Sequence, residues 1–241
     1  MKPHKPEESR FAKMLLHAPP GHGKTRFLGT AQEDPRTFPM AILDWDGGIG
    51  TLSGLDIDVF TIRDSKDYED ARKDLAHPQA PWNSYGVDSI SETQINVMEE
   101  ILGKDTIARA DPDQLGQQDW GIVLTRMRRI VRQFFKTIQM HGFMTAHTMD
   151  KTVARVGSVR APKLQGQFAD EMPGIPDVVG YLALEDDEDG NIIRTLLLHG
   201  YPKFSVKARS PWGIEIPTEI VDPDVTKLLD ALGFAKAGKK K

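Results

Sequence analysis

The 241-residue chain contains no cysteine. This absence excludes disulfide scaffolds, thiolate zinc sites, iron–sulfur clusters and cysteine nucleophiles, and it fits a reducing, cytosolic setting. No apolar run approaches the ~20 residues that a membrane-spanning helix needs. Residues 1–10 are charged and lack the apolar core of a signal peptide. We therefore expect a cytoplasmic protein that has no membrane partner.

The sequence also lacks a strong charge bias, because 31 lysines and arginines face 35 acidic residues. A polyanionic partner would have to bind a local basic surface rather than the molecule as a whole. Hydrophobic residues make up 39% and charged residues 27%, which is typical of a globular protein. We predict one domain over residues 11–235, with an N-terminal tail at 1–10 and a basic C-terminal tail at 236–241.

Short apolar runs alternate with helical stretches along the chain. This order predicts an α/β fold with a mainly parallel central sheet flanked by helices. Two later runs flank an acidic segment and predict a C-terminal antiparallel hairpin at 178–184 and 192–198. Residues 120–140 carry apolar side chains at three- and four-residue steps and predict the longest helix. Residues 103–119 and 148–167 are polar without a period, and we predict loops there.

The strongest chemical signal is the segment 18–25, which reads APPGHGKT. It follows an apolar strand and opens a helix, which is the context of a phosphate-binding P-loop. Glycines let backbone N–H groups converge on an anion, and the helix N-terminus adds its positive dipole end. The predicted nucleotide contacts are Pro20, Gly21, His22, Gly23, Lys24, Thr25 and Arg26. Ala18 replaces the first glycine of the usual pattern, and a chance Gly-Lys-Thr is the alternative explanation.

Three strand-end residues are candidates for nucleotide hydrolysis. Asp88 follows a short apolar run, where a carboxylate that binds Mg²⁺ beside the Thr25 hydroxyl is expected. It could instead cap the next helix. Asp46 follows the predicted strand at 40–43 and could orient or deprotonate the attacking water, or it could be a turn residue before two glycines. His147 could contact the γ-phosphate or make ordinary hydrogen bonds. We predict catalytic roles for these three residues and for Lys24.

Basic residues concentrate on one predicted helix and in one predicted loop. No acidic residue interrupts the basic run on the helix, and the loop 148–167 carries four cations against one aspartate. Both surfaces suit phosphate contacts, and solvated surfaces are the alternative. The loop has no aromatic residue, so base stacking is not predicted there. The predicted DNA contacts are Arg126, Arg129, Lys151, Arg155, Arg160 and Lys163.

Lys207 and Arg209 lie two residues apart on a predicted strand and therefore point the same way. They could act catalytically on a nucleotide bound by a neighbouring subunit, which would require a homo-oligomer. Edge charges that prevent aggregation are the alternative.

Taken in order, these parts resemble the RecA/RadA ATPase core. More closely, the chain resembles the compact RecA-like single-strand annealing ATPases of phages, the Sak-four type. The P-loop, Asp44-Trp45-Asp46 and Val87-Asp88-Ser89 carry the resemblance, together with the stretches 119–121, 144–147 and 173–182.

The resemblance implies a RecA core that binds ATP, Mg²⁺ and single-stranded DNA in the cytoplasm of a bacterial host. It also implies a ring or filament of identical subunits and a phage or host single-strand-binding protein as a further partner. Asp46 then occupies the place of a catalytic glutamate but is one methylene shorter, which implies slow hydrolysis. His147 would be the γ-phosphate sensor. Residues 103–119 and 148–167 would face DNA, and Lys207 and Arg209 would act in trans.

Three functions are compatible with these features. The first is ATP-dependent DNA binding with annealing of complementary strands, strand exchange remaining open. The second is a non-hydrolysing nucleotide switch, which Ala18 and Asp46 favour. The third is a small-molecule phosphotransferase, in which the basic loop would act as a lid.

Overall fold

The computed structural model describes residues 11–103, 114–186, 189–209 and 213–234. The predicted tails at 1–10 and 236–241 lie outside these residues, as does most of the predicted loop 103–119. The helices are α1 (Lys24–Gly29), α2 (Ser65–Leu75), α3 (Ile90–Leu102), α4 (Gln117–Arg132), α5 (Phe168–Glu171) and α6 (Val225–Ala231). In the described part of the chain, no helix is both long enough and apolar enough to cross a membrane.

Eleven strands form two sheets in the described residues. They are β1 (Lys13–His17), β2 (Met40–Asp44), β3 (Asp58–Thr61), β4 (Ser84–Asp88), β5 (His141–Ala146), β6 (Thr148–Val153), β7 (Gly157–Pro162), β8 (Val178–Asp186), β9 (Ile192–Leu197), β10 (Lys207–Ala208) and β11 (Glu219–Val221). The main sheet has the order β11-β9-β8-β1-β5-β4-β2-β3, with β10 paired to β8. Strands β6 and β7 form a separate antiparallel pair.

The main sheet is parallel from β8 to β3 and antiparallel beyond β8, which confirms the predicted α/β class. The predicted C-terminal hairpin is also confirmed, as β8 pairs antiparallel with β9. Because β1, β2, β4 and β5 run the same way, their carboxyl ends meet at one edge. There, Asp44 lies beside Asp88, and His17 lies beside Ala146. The predicted site residues Asp46, Asp88 and His147 are therefore neighbours.

The core lies on both faces of this sheet. All residues of β1, β2, β4 and β5 are buried, as expected for parallel strands covered on both sides. Met14 packs with Leu28 of α1 on one face, whereas Leu15 packs with Met127 of α4 on the other. This explains why the strands read as continuous apolar runs without alternation.

The predicted loop at 148–167 was wrong, because strands β6 and β7 form a hairpin there. Its turn places Arg155 and Gly157 in the left-handed region, at φ 68° and 88°. Most residues of the ribbon are exposed. Since no face is fully buried, the sequence shows no clean alternation of apolar and polar residues. This segment is therefore an ordered element with a fixed register.

The predicted helix at 120–140 also differs from α4. The helix begins earlier because the Asp119 carboxylate accepts a hydrogen bond from the Gly116 backbone N–H at 2.9 Å. It ends at Arg132 and continues only as a π-helical turn at Gln133–Thr137. The apolar stripe continues through this turn, so periodicity alone could not show where α4 stops.

Candidate nucleotide-binding site

The P-loop connects the carboxyl end of β1 to the first residue of α1. Gly21 and Gly23 adopt φ values of 80° and 95°, a region that residues with a Cβ atom rarely enter. The Gly23 carbonyl accepts the hydrogen bond from Phe27 N at 2.8 Å that starts the helix. Ala18 is fully buried, and its N–H donates to the Ala146 carbonyl of β5. Alanine therefore fits where the usual pattern has glycine.

Lys24 is buried and places its ammonium across the loop. Its Nζ donates to the carbonyl oxygens of Ala18 and Pro19, both at 3.1 Å. Burial lowers the pKa of Lys24, while the negative charges of Asp88 and Asp46 oppose this shift. Among the described residues the Lys24 ammonium donates hydrogen bonds to neutral carbonyls, and a phosphate would be a stronger partner.

Thr25 and Asp88 form the oxygen pair expected to bind Mg²⁺. The Thr25 hydroxyl donates to one carboxylate oxygen of Asp88 at 2.6 Å, and the Thr145 hydroxyl donates to the other. Asp88 is 3% exposed. A hydroxyl and a carboxylate are hard oxygen ligands of the kind that Mg²⁺ prefers. The donor set therefore fits a magnesium–nucleotide complex next to Lys24.

Asp46 and His147 lie beside this pair. One oxygen of Asp46 accepts hydrogen bonds from the backbone N–H and hydroxyl of Ser89, at 3.2 and 3.1 Å. The other lies 3.7 Å from Nε2 of His147. Burial and the neighbouring charge of Asp88 raise the pKa of Asp46. Side-chain atoms of Asp46, Glu92 and His147 lie within 4.8 Å of one another. Two of the predicted strand-end residues, Asp46 and His147, therefore form a cluster with Glu92, which was not predicted, and Asp88 lies close enough for its charge to act on Asp46.

Arg126 and Arg129 of α4 are paired with acids from other helices. Arg126 lies 3.1 Å from Glu100 of α3, and Arg129 lies 2.9 Å from Glu69 of α2. Sequence analysis found no acidic partner because it considered only residues on the same helix. DNA contacts at Arg126 and Arg129 stay predictions, and they would have to compete with these ion pairs.

The β6–β7 hairpin carries the other predicted DNA contacts. Arg155 lies exposed at the turn, and Lys151 pairs with Asp170. Arg160 donates to the hydroxyl of Tyr181 at 2.6 Å. At the base of the hairpin, Lys163 N donates to the carbonyl of His147 at 2.7 Å. The hairpin is thus joined by a main-chain bond to a residue of the cluster at Asp46.

Lys207 and Arg209 lie at the opposite end of the sheet from the P-loop. Lys207 pairs with Val179 near the start of β8, and its Nζ donates to the carbonyls of Pro173 and Pro176, at 2.6 and 2.7 Å. Arg209 is exposed and donates to the carbonyl of Gly174 at 3.2 Å. Both side chains are held away from the nucleotide site of their own chain. Their proposed action on the nucleotide of another subunit stays a prediction.

Sequence analysis missed Arg194 of β9. A Cβ atom at Gly23 would lie 3.3 Å from its Nε, so the arginine packs directly against the P-loop. This Nε is buried and has no hydrogen-bond partner among the described residues. No local pattern could reveal the contact, because 170 residues separate the two positions. Arg194 adds a second cation beside the loop.

The family model for the AAA domain, AAA_24, matches residues 10–210. The chain is similar to the RadB recombinase, at 12% identity and a TM-score of 0.45, over 78% of this chain and 81% of that one. It is also similar to an ATPase from the type III secretion system of pathogenic bacteria, at 12% identity and a TM-score of 0.44; that match covers 72% of this chain and 52% of that one. No curated protein matches the chain. Because the family model covers most of its length, the chain belongs to the AAA domain family of P-loop NTPases.

Proposed function

We propose that the protein is an ATPase that binds single-stranded DNA in an ATP-dependent way and anneals complementary strands in phage recombination. It would act in the cytoplasm of the bacterial host. The observation that carries this proposal is a main-chain hydrogen bond between the nucleotide site and the basic β6–β7 hairpin. His147 lies beside Asp46 in the candidate nucleotide site. Its backbone carbonyl accepts a hydrogen bond from the Lys163 N–H at the base of the hairpin.

In this proposal, the P-loop amides and Lys24 hold the triphosphate, with Arg194 as an additional cation. Thr25 and Asp88 hold Mg²⁺, which neutralises charge on the β- and γ-phosphates when bound. Asp46 orients the attacking water and accepts its proton. Because Ser89 already donates twice to one oxygen of Asp46, only the other oxygen is available for water. We therefore expect slow turnover.

A non-hydrolysing nucleotide switch is the second candidate, and the groups that surround the Asp46 carboxylate favour it. One oxygen accepts from Ser89, and the other lies near His147. Such a protein would bind ATP and change its DNA affinity without releasing phosphate. Measured phosphate release separates the two candidates.

The test of the proposed function compares DNA binding with and without nucleotide. We expect a non-hydrolysable ATP analogue to tighten binding of a fluorescent single strand by about tenfold or more, since typical couplings between two sites are about 5- to 150-fold. The affinity should fall steeply with salt. Anisotropy titrations at several salt concentrations measure both effects. Equal affinity with and without nucleotide would contradict the proposal.

We expect a homo-oligomer, ring or filament, in which Arg209 acts on the nucleotide of a neighbouring subunit. Arg209→Ala should lower ATP turnover about 1,000-fold or more, the contribution of an arginine finger, and leave the protein folded, because the exposed side chain donates to the Gly174 carbonyl at the surface. Mixing it with the Lys24→Ala protein provides the decisive measurement. Mixed oligomers contain interfaces with an intact P-loop facing an intact Arg209, so activity should return. Mixtures as inactive as the separate variants would disprove action in trans.

A further inference from the structure

A pocket of about 230 Å³ lies between the P-loop and the β6–β7 hairpin. Leu182 of β8 belongs to the same hydrophobic cluster as Phe27 of α1, whereas the preceding residue Tyr181 belongs to a separate cluster and faces the opposite side of the sheet. The pocket occupies this opposite side, and a P-loop residue forms part of its rim. The lining residues that matter here are His22, Arg160, Tyr181, Tyr201, Phe204 and Glu219.

Three aromatic rings from two separate segments form one wall. The rings of Tyr181 and Phe204 lie 4.6 Å apart at their centroids and are tilted by 47°. Tyr201 meets Phe204 edge-on, at 6.3 Å and 89°. Phe204 and Tyr201 are only half-buried, so part of their ring surface is open to a ligand. A flat heterocycle could stack on this surface.

Polar groups stand beside the rings. The Arg160 guanidinium lies 5.7 Å from the Tyr181 ring and 5.9 Å from the Phe204 ring. Glu219 accepts a hydrogen bond from the Tyr201 hydroxyl. The pocket thus offers π surface, a donor-rich cation and a carboxylate acceptor within one small volume. This combination matches a heterocycle that has both donors and acceptors on its edge.

The pocket is built rigidly. Arg160 N donates to the Lys203 carbonyl and Ser205 N donates to the Arg160 carbonyl, both at 2.8 Å. Beneath Tyr181, burial lowers the pKa of His17 to about 4, which keeps the imidazole neutral. Its Nε2–H donates to the Ser205 carbonyl at 3.0 Å, and its Nδ1 accepts from the Thr148 hydroxyl. The aromatic wall is therefore held between β1, β6 and β7 without a ligand.

We propose that this pocket binds one unpaired base of the DNA strand, an inference that rests on the proposed binding of single-stranded DNA. Its volume lies below the ~300–1,000 Å³ of sites for drug-sized ligands and suits a single base. Arg160 belongs both to the pocket and to the basic hairpin, so a strand on the hairpin would lie next to the opening. The base would stack on Phe204 and Tyr201 while the hairpin cations contact the phosphates.

The first experiment uses the wild-type protein with a non-hydrolysable ATP analogue. Oligo(dT) is compared with a strand of equal length in which every base is replaced by an abasic analogue. Both strands carry the same phosphates, so electrostatic binding is matched. We expect the abasic strand to bind about tenfold more weakly or worse, because stacking contributes about 5- to 150-fold per base. Equal affinity for the two strands would overturn the proposed base-binding role of the pocket while leaving the proposed function intact.

The second experiment uses variants of Phe204, whose half-buried ring can be removed without opening the main core. Phe204→Ala should weaken oligo(dT) binding about tenfold, leave the salt dependence unchanged and no longer distinguish the abasic strand. Phe204→Trp should restore binding. Lys203→Ala, at an exposed position outside the pocket lining, is the matched control; it should weaken binding of oligo(dT) and of the abasic strand by the same factor and make the salt dependence less steep.

The affinity for ATP should be the same in the wild type and in both Phe204 variants. Weaker ATP binding in Phe204→Ala would indicate that the pocket holds the adenine base of ATP. This result would overturn the proposal that it binds a base of the DNA strand. If the folded wild-type protein binds neither strand, the proposed function and the pocket both fail. Thermal melting verifies that the variants are folded.

Discussion

Lys24→Ala is expected to abolish ATP turnover, with a loss of about 100-fold or more. The ammonium of Lys24 lies across the P-loop and donates hydrogen bonds to the Ala18 and Pro19 carbonyls. Alanine removes the charge that would meet the phosphates. Steady-state phosphate release measures the loss. Mg-ATP should also stop raising the melting temperature, whereas ~100-fold excess over Kd stabilises a binding-competent protein by about 2.7 kcal/mol.

The fold should survive this substitution. Burial lowers the pKa of Lys24, which means that the folded protein holds its charge at a cost. Losing two hydrogen bonds to neutral carbonyls costs about 1 kcal/mol each, and relief of the buried charge offsets this. We expect the free energy of unfolding to change by no more than about 1 kcal/mol in the absence of nucleotide. Lys66→Ala, at an exposed position of α2, is the control and should retain full turnover.

Comparison of Lys24→Ala with Arg194→Ala separates the contributions of these two cations to ATP binding. Arg194 packs on Gly23 from β9 and approaches from outside the loop, so its removal should weaken ATP binding by only about tenfold. A Lys24→Ala protein that hydrolyses ATP as fast as the wild type would contradict the assigned site. The family assignment would then no longer describe the chemistry of this chain.

Asp88→Asn is expected to affect turnover far more than stability. Turnover should fall about 100- to 1,000-fold, because the carboxylate that would hold Mg²⁺ becomes a neutral amide. Stability without nucleotide should change by no more than about 1 kcal/mol. The charge of Asp88 raises the pKa values of Asp44 and Asp46, after burial itself, and this repulsion is lost, but its attraction to the Lys24 ammonium is lost as well.

Asparagine is the right substitution because it keeps the shape of the side chain. The hydroxyl that faces the new amide nitrogen can rotate and accept from it, while the other threonine hydroxyl goes on donating to the amide oxygen. Asp88→Ala is the contrast, since it leaves both threonines without this partner and should destabilise the fold. Phosphate release and urea unfolding measure the two quantities. Wild-type turnover in Asp88→Asn, or a clear loss of stability, would contradict this account.

Asp46→Asn removes the proposed general base but keeps the Asp88 carboxylate that would bind Mg²⁺. We expect this variant to lose turnover but to keep the thermal stabilisation by Mg-ATP. The reason is that Asp46 reaches Ser89 and His147 rather than the Thr25–Asp88 pair.

The sequence alone predicted the parts of this protein that depend on neighbouring residues. The P-loop was recognisable because an apolar strand, two glycines and a helix start follow one another directly. The start of α3 also depends on neighbouring residues, since the Ser89 hydroxyl caps the helix by accepting a hydrogen bond from Glu92 N. The strand ends that carry Asp46, Asp88 and His147 followed from the order of apolar runs, because parallel strands bring their carboxyl ends to one edge.

Only the tertiary structure decided the contacts between distant segments. It paired two arginines of α4 with acids of α2 and α3, formed the hairpin at 148–162, and placed Arg194 against Gly23. It also joined Tyr181, Tyr201 and Phe204 to Arg160, although the loop that contains Arg160 has no aromatic residue. Periodicity indicates which face of a strand is buried, but which side chain it meets there is set by sheet order and packing across the whole chain.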